Sequence, residues 1–145
     1  MNQNLVTNPI ALSSIIDTIH DCRFEMDEIC FDPETSTLKI DFFYENTEKK
    51  QVIRQFLLFK KYSIPIEIWT LKISQVRDYN CMQGDQIGPG SDDYFNALAY
   101  SEEKKELQIS TVIGRNIIVK VFNLEVGIIA NDTVVDMRTS YSMFS

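Results

Sequence analysis

The chain has 145 residues and carries a formal net charge of −7, with a sequence pI near 4.7. Hydrophobic residues make up 44% and aromatic residues 11%, enough to build one buried core and too many for a disordered chain. The acidic balance argues against binding nucleic acid or an anionic membrane surface, because both attract clustered Lys and Arg. The length predicts a single domain over residues 1–145.

Near the start, Asn8-Pro9 precedes Ile10, Leu12, Ile15, Ile16 and Ile19. Asn8 fits an N-cap and Pro9 the first helical position, and the three- and four-residue spacings place Leu12, Ile15, Ile16 and Ile19 on one stripe. Residues 1–14 lack the basic start and apolar run of a signal peptide, so a cytoplasmic location is the expectation.

From Cys22 the period changes to two. Cys22, Phe24 and Met26 share one parity, whereas Ile29 and Phe31 take the other, which predicts a bulge near Asp27-Glu28. Asp32-Pro33 marks a turn, and Leu38, Ile40, Phe42 and Tyr44 alternate as a strand. Residues 51–60 read as the returning strand of a hairpin, with helix as the alternative, and both parities there are apolar. Ile64, Ile66 and Ile68 then give way to Trp69, Leu71 and Ile73, a second phase change, while Pro65 points to a strand beginning or a sheet edge.

Residues 81–93 form the one long stretch rich in breakers, with Gly84, Gly88, Pro89 and Gly90. Residues 94–100 and 106–113 frame a hairpin, 117–129 read as one strand, and 133–137 as the last. The sum is a mainly β (α+β) chain: an antiparallel sheet or two-sheet β-sandwich of about eight strands, with one short N-terminal helix packed on it.

Chemistry-bearing motifs are sparse. His20 is the single histidine, which excludes a multi-histidine metal site, and its place at the helix end fits a dipole interaction. Cys22, Cys30 and Cys81 are an odd set with no Cys-x-x-Cys pair, which fits free thiols in a reducing compartment. There is no Gly-x-Ser-x-Gly elbow and no Gly-Lys-Ser/Thr phosphate loop. No residue is therefore assigned to catalysis, no metal ligand set is assigned, and no cofactor is expected.

The loop over 81–93, with Asp85, Asp92 and Asp93 flanked by Tyr79 and Tyr94, is the candidate binding segment. Its acids and turn formers suit a protein contact, a small ligand or calcium, although the EF-hand spacing is absent. The leading expectation is a non-catalytic protein-binding domain, of an immunity or inhibitor type, that masks a basic partner. The alternatives are a small-ligand or calcium-binding β-domain using the 81–93 loop, and a structural subunit of a homo-oligomer.

Overall fold

The computed structural model describes residues 3–82 and 92–143 of the chain. After β1 (Gln3–Val6), the Asn8 side chain accepts a hydrogen bond from Ile10 N at 2.9 Å and caps a short 3-10 turn (Pro9–Ala11). That turn runs straight into α1 (Leu12–Ile19), which buries Leu12, Ile15 and Ile19 on one face. The helix stops because His20 swings to extended backbone and Asp21 enters the left-handed region at φ 64°, a conformation that aspartate tolerates better than most residues.

Eleven strands follow the pattern expected of a mainly β chain with one short helix, and every pairing is antiparallel. They are β1, then β2 (Arg23–Asp32), β3 (Thr37–Glu45), β4 (Gln51–Phe56), β5 (Phe59–Ile73) and β6 (Val76–Met82). After the 83–91 segment come β7 (Asp92–Ser101), β8 (Glu106–Thr111), β9 (Asn116–Val121), β10 (Val126–Ile129) and β11 (Val134–Met143). The spatial order is β1-β10-β5-β3-β2-β7-β8-β9-β6, with β4 and β11 flanking the first half of β5.

The sheet folds back on itself. Val76 N, at the start of β6, donates to Ser36 O at 2.8 Å, and Tyr79 on β6 lies 5.8 Å from Phe31 on β2. Both halves of the sheet therefore face one core. Its centre is an aromatic cluster: Phe24 of β2 stacks on Phe95 of β7 at 4.3 Å, and Phe42 of β3 meets Phe95 edge-on at 5.7 Å. The helix is pinned beside them by Asp21 N donating to Phe95 O and Phe95 N donating to Cys22 O.

The expected bulge in β2 is present as a register shift between Phe24 and Ile29 against β3. The phase change within β5 has another origin. Its register with β3 runs unbroken from Leu38↔Ile73 to Glu45↔Ile66, so no bulge lies there, and the burial switches face along a continuous strand. Pro65 sits mid-strand, not at a strand start, at the place where β5 changes neighbours. β4 covers β5 from Phe59 to Ser63 and β3 covers it from Ile66 to Ile73, so Pro65 falls between the two ladders.

One charged pair is sealed into the β7–β8–β9 corner. Asp93 is 0% and Arg115 2% exposed, and Arg115 Nη1 donates to Asp93 Oδ2 at 3.0 Å. The other carboxylate oxygen accepts from Tyr94 N at 2.7 Å and Ile113 N at 3.4 Å, and Arg115 N donates to Thr111 Oγ1. Breaking a buried ion pair by removing one member costs about 3–5 kcal/mol. Asp93→Ala is thus expected to lower unfolding free energy by that amount in urea titration. Asp93→Leu combined with Arg115→Met should recover a large part of the loss.

Candidate functional site

Two hollows open over β2 and β3 and share Phe43 between them. The larger, about 520 Å³, is bordered by His20, Asp21 and Cys22 after α1, Tyr44 and Glu45 of β3, and Tyr94 of β7. The smaller, about 250 Å³, has Phe42, Phe43 and Ile68 as its floor and Glu25, Glu28 and Asp41 around it. Strand alternation sends Phe24 and Phe42 into the core and places Phe43 on the same outward face as Asp41 and Glu45. Arg23 lies at the junction, its guanidinium 4.1 Å from the centre of the Phe43 ring.

Acids outnumber cations along this face. Arg23 is within 3.4 Å of Asp92 and 3.7 Å of Glu25, and Arg138 reaches Glu45 at 2.9 Å. Asp41 accepts from Thr70 Oγ1 at 2.7 Å. His20 Nδ1 is 3.2 Å from Asp21 Oδ2, and both side chains are exposed.

The nucleophile nearest to the larger hollow is held inactive. Burial, reinforced by the negative charges of Glu45 and Asp21, pushes the Cys22 thiol up from 9.0 to about 11, and Cys22 Sγ lies 3.6 Å from Thr18 O. At neutral pH the thiol stays protonated, and the thiolate is the reactive form. Among the described residues, no group of three or more His, Cys, Asp or Glu is placed to hold a metal ion.

A third hollow, about 230 Å³, continues the line along Thr18 and Tyr44 to Asn46, Glu48 and Trp69. Beneath it lies Glu67, 1% exposed, whose Oε1 accepts from Asn46 Nδ2 at 2.8 Å and Trp69 Nε1 at 3.0 Å. Its Oε2 accepts from Lys49 Nζ at 2.8 Å, and the same ammonium reaches Asp132 at 3.2 Å. Burial alone would push this carboxyl up, but the bonds from Lys49, Asn46 and Trp69 outweigh it and hold it below the ordinary 4.5. The Trp69 indole, fixed by that bond, stacks on Tyr44 at 3.8 Å.

Of the five residues expected from the sequence, the four that are described lie in different places. Tyr94 borders the larger hollow, and Asp92 reaches it through Arg23. Asp93, next in the chain, points the opposite way into its buried pair with Arg115. Tyr79 packs half-buried against Phe31, and Asp85 lies outside the described residues. The sequence reading did not single out Arg23, Phe43 or Tyr44, since their convergence depends on the β2–β3 and β2–β7 registers. Comparison with protein-family models, with curated proteins and with solved structures finds no match.

Three outcomes follow from the titrating groups. Cys30 is exposed, whereas burial raises both the Cys22 and Cys81 thiols. In mildly alkaline buffer a thiol-specific reagent should modify Cys30 fast and the other two slowly, with all three fast in denaturant. The stability that protonated Cys22 contributes is complete below pH 9.0 and should fade as the pH rises toward about 11. Glu67 has the opposite sign: its contribution is complete above its unfolded pKa and is lost as the pH falls through the depressed folded value. Glu67→Gln should cost about 1–3 kcal/mol at neutral pH and less in acid, read from unfolding at a series of pH values.

Proposed function

We propose that the chain is a non-catalytic protein-binding domain whose acidic face over β2 and β3 receives a basic partner. The observation that carries this reading is the pair of hollows sharing Phe43, with apolar and aromatic floors and with Asp21, Glu25, Glu28, Asp41 and Glu45 at their margins. Lys and Arg side chains combine an apolar stem with a charged head, so a depression of this kind suits them at both ends. Aromatic rings beside carboxylates add a cation–π contribution for the same groups.

The chemistry around Cys22 and His20 favours binding over turnover. The thiol is held protonated, and the imidazole has only the exposed Asp21 carboxylate within 4 Å as an ionic partner. Masking a basic surface needs neither group to react. The start of β7 contributes Tyr94 and Asp92 to this face. Asp93, already neutralised by Arg115, is poorly suited to hold calcium as well.

Immobilised full-length chain should retain a protein of basic pI from native lysate at low salt and release it at high salt. Asp21→Asn, Glu25→Gln and Glu28→Gln together, all at exposed or half-exposed positions, should slow association by about tenfold or more without changing the melting temperature. Equal capture by the wild type and the triple variant would sink the reading.

A further inference from the structure

We propose that the β4–β5 hairpin and β11 form an arm whose tip docks on an anionic lipid surface. Beyond Pro65 the first half of β5 leaves the core and is flanked only by β4 on one side and β11 on the other. Every residue of β4 is exposed, and so is β11 apart from Ser140. The arm ends in Phe56-Leu57-Leu58-Phe59, with Leu57 91% and Leu58 61% exposed.

The register sorts side chains by distance from that tip. On one face the first row is Phe56, Phe59 and Met143, all exposed and apolar. The second row on that face is Arg54, Lys61 and Tyr141, and the third is Gln51, Ser63 and Thr139. The second row touches as it should: Arg54 lies 5.3 Å from the Phe56 ring centre, and Lys61 lies 5.8 Å from that of Tyr141. On the other face Lys60 stands level with Gln55 and Ser142. Two residues of strand separate the apolar row from the basic one, about 7 Å. That matches the roughly 5–10 Å depth at which interfacial elements sit in the headgroup and acyl boundary. On that face a layered medium would select such banding, apolar at the end, cations and tyrosine at headgroup level and neutral polar groups above, while Val52 and Ile53 of β4 add exposed apolar side chains above the basic row. A contact with another protein has no reason to order side chains by depth.

The turn itself supports the choice. A two-residue hairpin turn favours glycine or asparagine where φ is positive, and here Leu57 takes φ 46°. A bulky apolar residue is thus held in a strained conformation at the most exposed place on the arm.

Charge complementarity singles out anionic lipid. From Ser63 out to the tip the arm strands carry Arg54, Lys60 and Lys61 and no acid, Arg138 at their base is paired with Glu45, and Lys50 directly precedes β4, its ammonium 4.9 Å from the Tyr62 ring centre. The whole chain has 14 Lys and Arg against 21 Asp and Glu, so the rest of the molecule is more acidic than the net charge of −7 suggests. The arm is the pole that an anionic surface attracts, and the body is the pole it repels.

The test is co-sedimentation of the full chain with phosphatidylcholine vesicles and with vesicles that also contain phosphatidylserine. The wild type should pellet with the phosphatidylserine vesicles, less so as salt rises, and stay in solution with phosphatidylcholine alone. Leu57→Gly with Leu58→Ser relieves the turn and removes the apolar tip, so it should melt no lower than wild type and lose vesicle binding at least tenfold. Lys60→Glu with Lys61→Glu should lose the preference for phosphatidylserine. Failure of the wild type to pellet, or pelleting unaffected by either variant, overturns the proposal. So does analytical ultracentrifugation showing a wild-type dimer that the Leu57→Gly, Leu58→Ser variant dissolves while neither binds vesicles, because the arm would then be covered by a second copy of the chain.

Discussion

The continuity of β5 is the constraint on which the rest of the structure depends. Its fifteen residues pass through two environments without a break in register: Ile64 to Ile73 run beside the core, and Phe59 to Ser63 project into the arm. On one side the handover from β4 to β3 is made at Pro65, where Asn46 N donates to Pro65 O to hold the end of β3 in place. On the other side β11 runs on past Pro65 to Glu67 before β10 takes over at Thr70. A strand shared in this way makes the arm a rigid extension of the core and not a separately hinged loop. The tip is laddered to β4 and β11, and the same strand is laddered to β3 and β10 where it carries Trp69 and Leu71.

Buried charge serves position in two places. Asp93 with Arg115 fixes the start of β7 against the turn between β8 and β9, and Glu67 with Lys49, Asn46 and Trp69 fixes the segment between β3 and β4. Neither arrangement is a cheap source of stability, since desolvating an ion offsets most of what pairing returns. Their effect is geometric. The Glu67 carboxylate orients the Trp69 indole, the indole supports Tyr44, and Tyr44 walls the hollows where the acidic face lies.

Local patterns in the chain announced much of this fold. The Asn8 cap, the Leu12–Ile15–Ile19 stripe, the β2 irregularity and the β7–β8 hairpin all depend on residues near one another in sequence. What stayed hidden depends on partners far away. The span 117–129 reads as one apolar strand but divides at Phe122–Glu125, because β9 joins β6 and β8 while β10 crosses to β1 and β5. β1 and β6 have too little apolar alternation to stand out, and with that division they bring the expected eight strands to eleven. The turn at Leu57-Leu58 gave no signal at all, since it contains none of the residues that normally mark a hairpin. The candidate face was equally hidden: Tyr94 and Asp92 were legible as loop-flanking residues, but Arg23 and Phe43 join them only once β2 pairs with both β3 and β7.

Net charge is an average over an uneven distribution in this chain. A value of −7 reads as a uniformly acidic protein that repels phosphate and lipid headgroups. Electrostatic attraction acts on the local field, however, and screening confines that field to about 8–10 Å at physiological salt. The cations of the arm lie two strand residues and more from the core-facing half of β5, while the acids collect over β2 and β3. An approaching surface within a screening length of Leu57 meets Arg54, Lys60 and Lys61 before it meets the acids of the body. The same segregation lets one small domain present a basic apolar tip in one direction and an acidic aromatic face in another. Averaging the two into a single number erases that segregation.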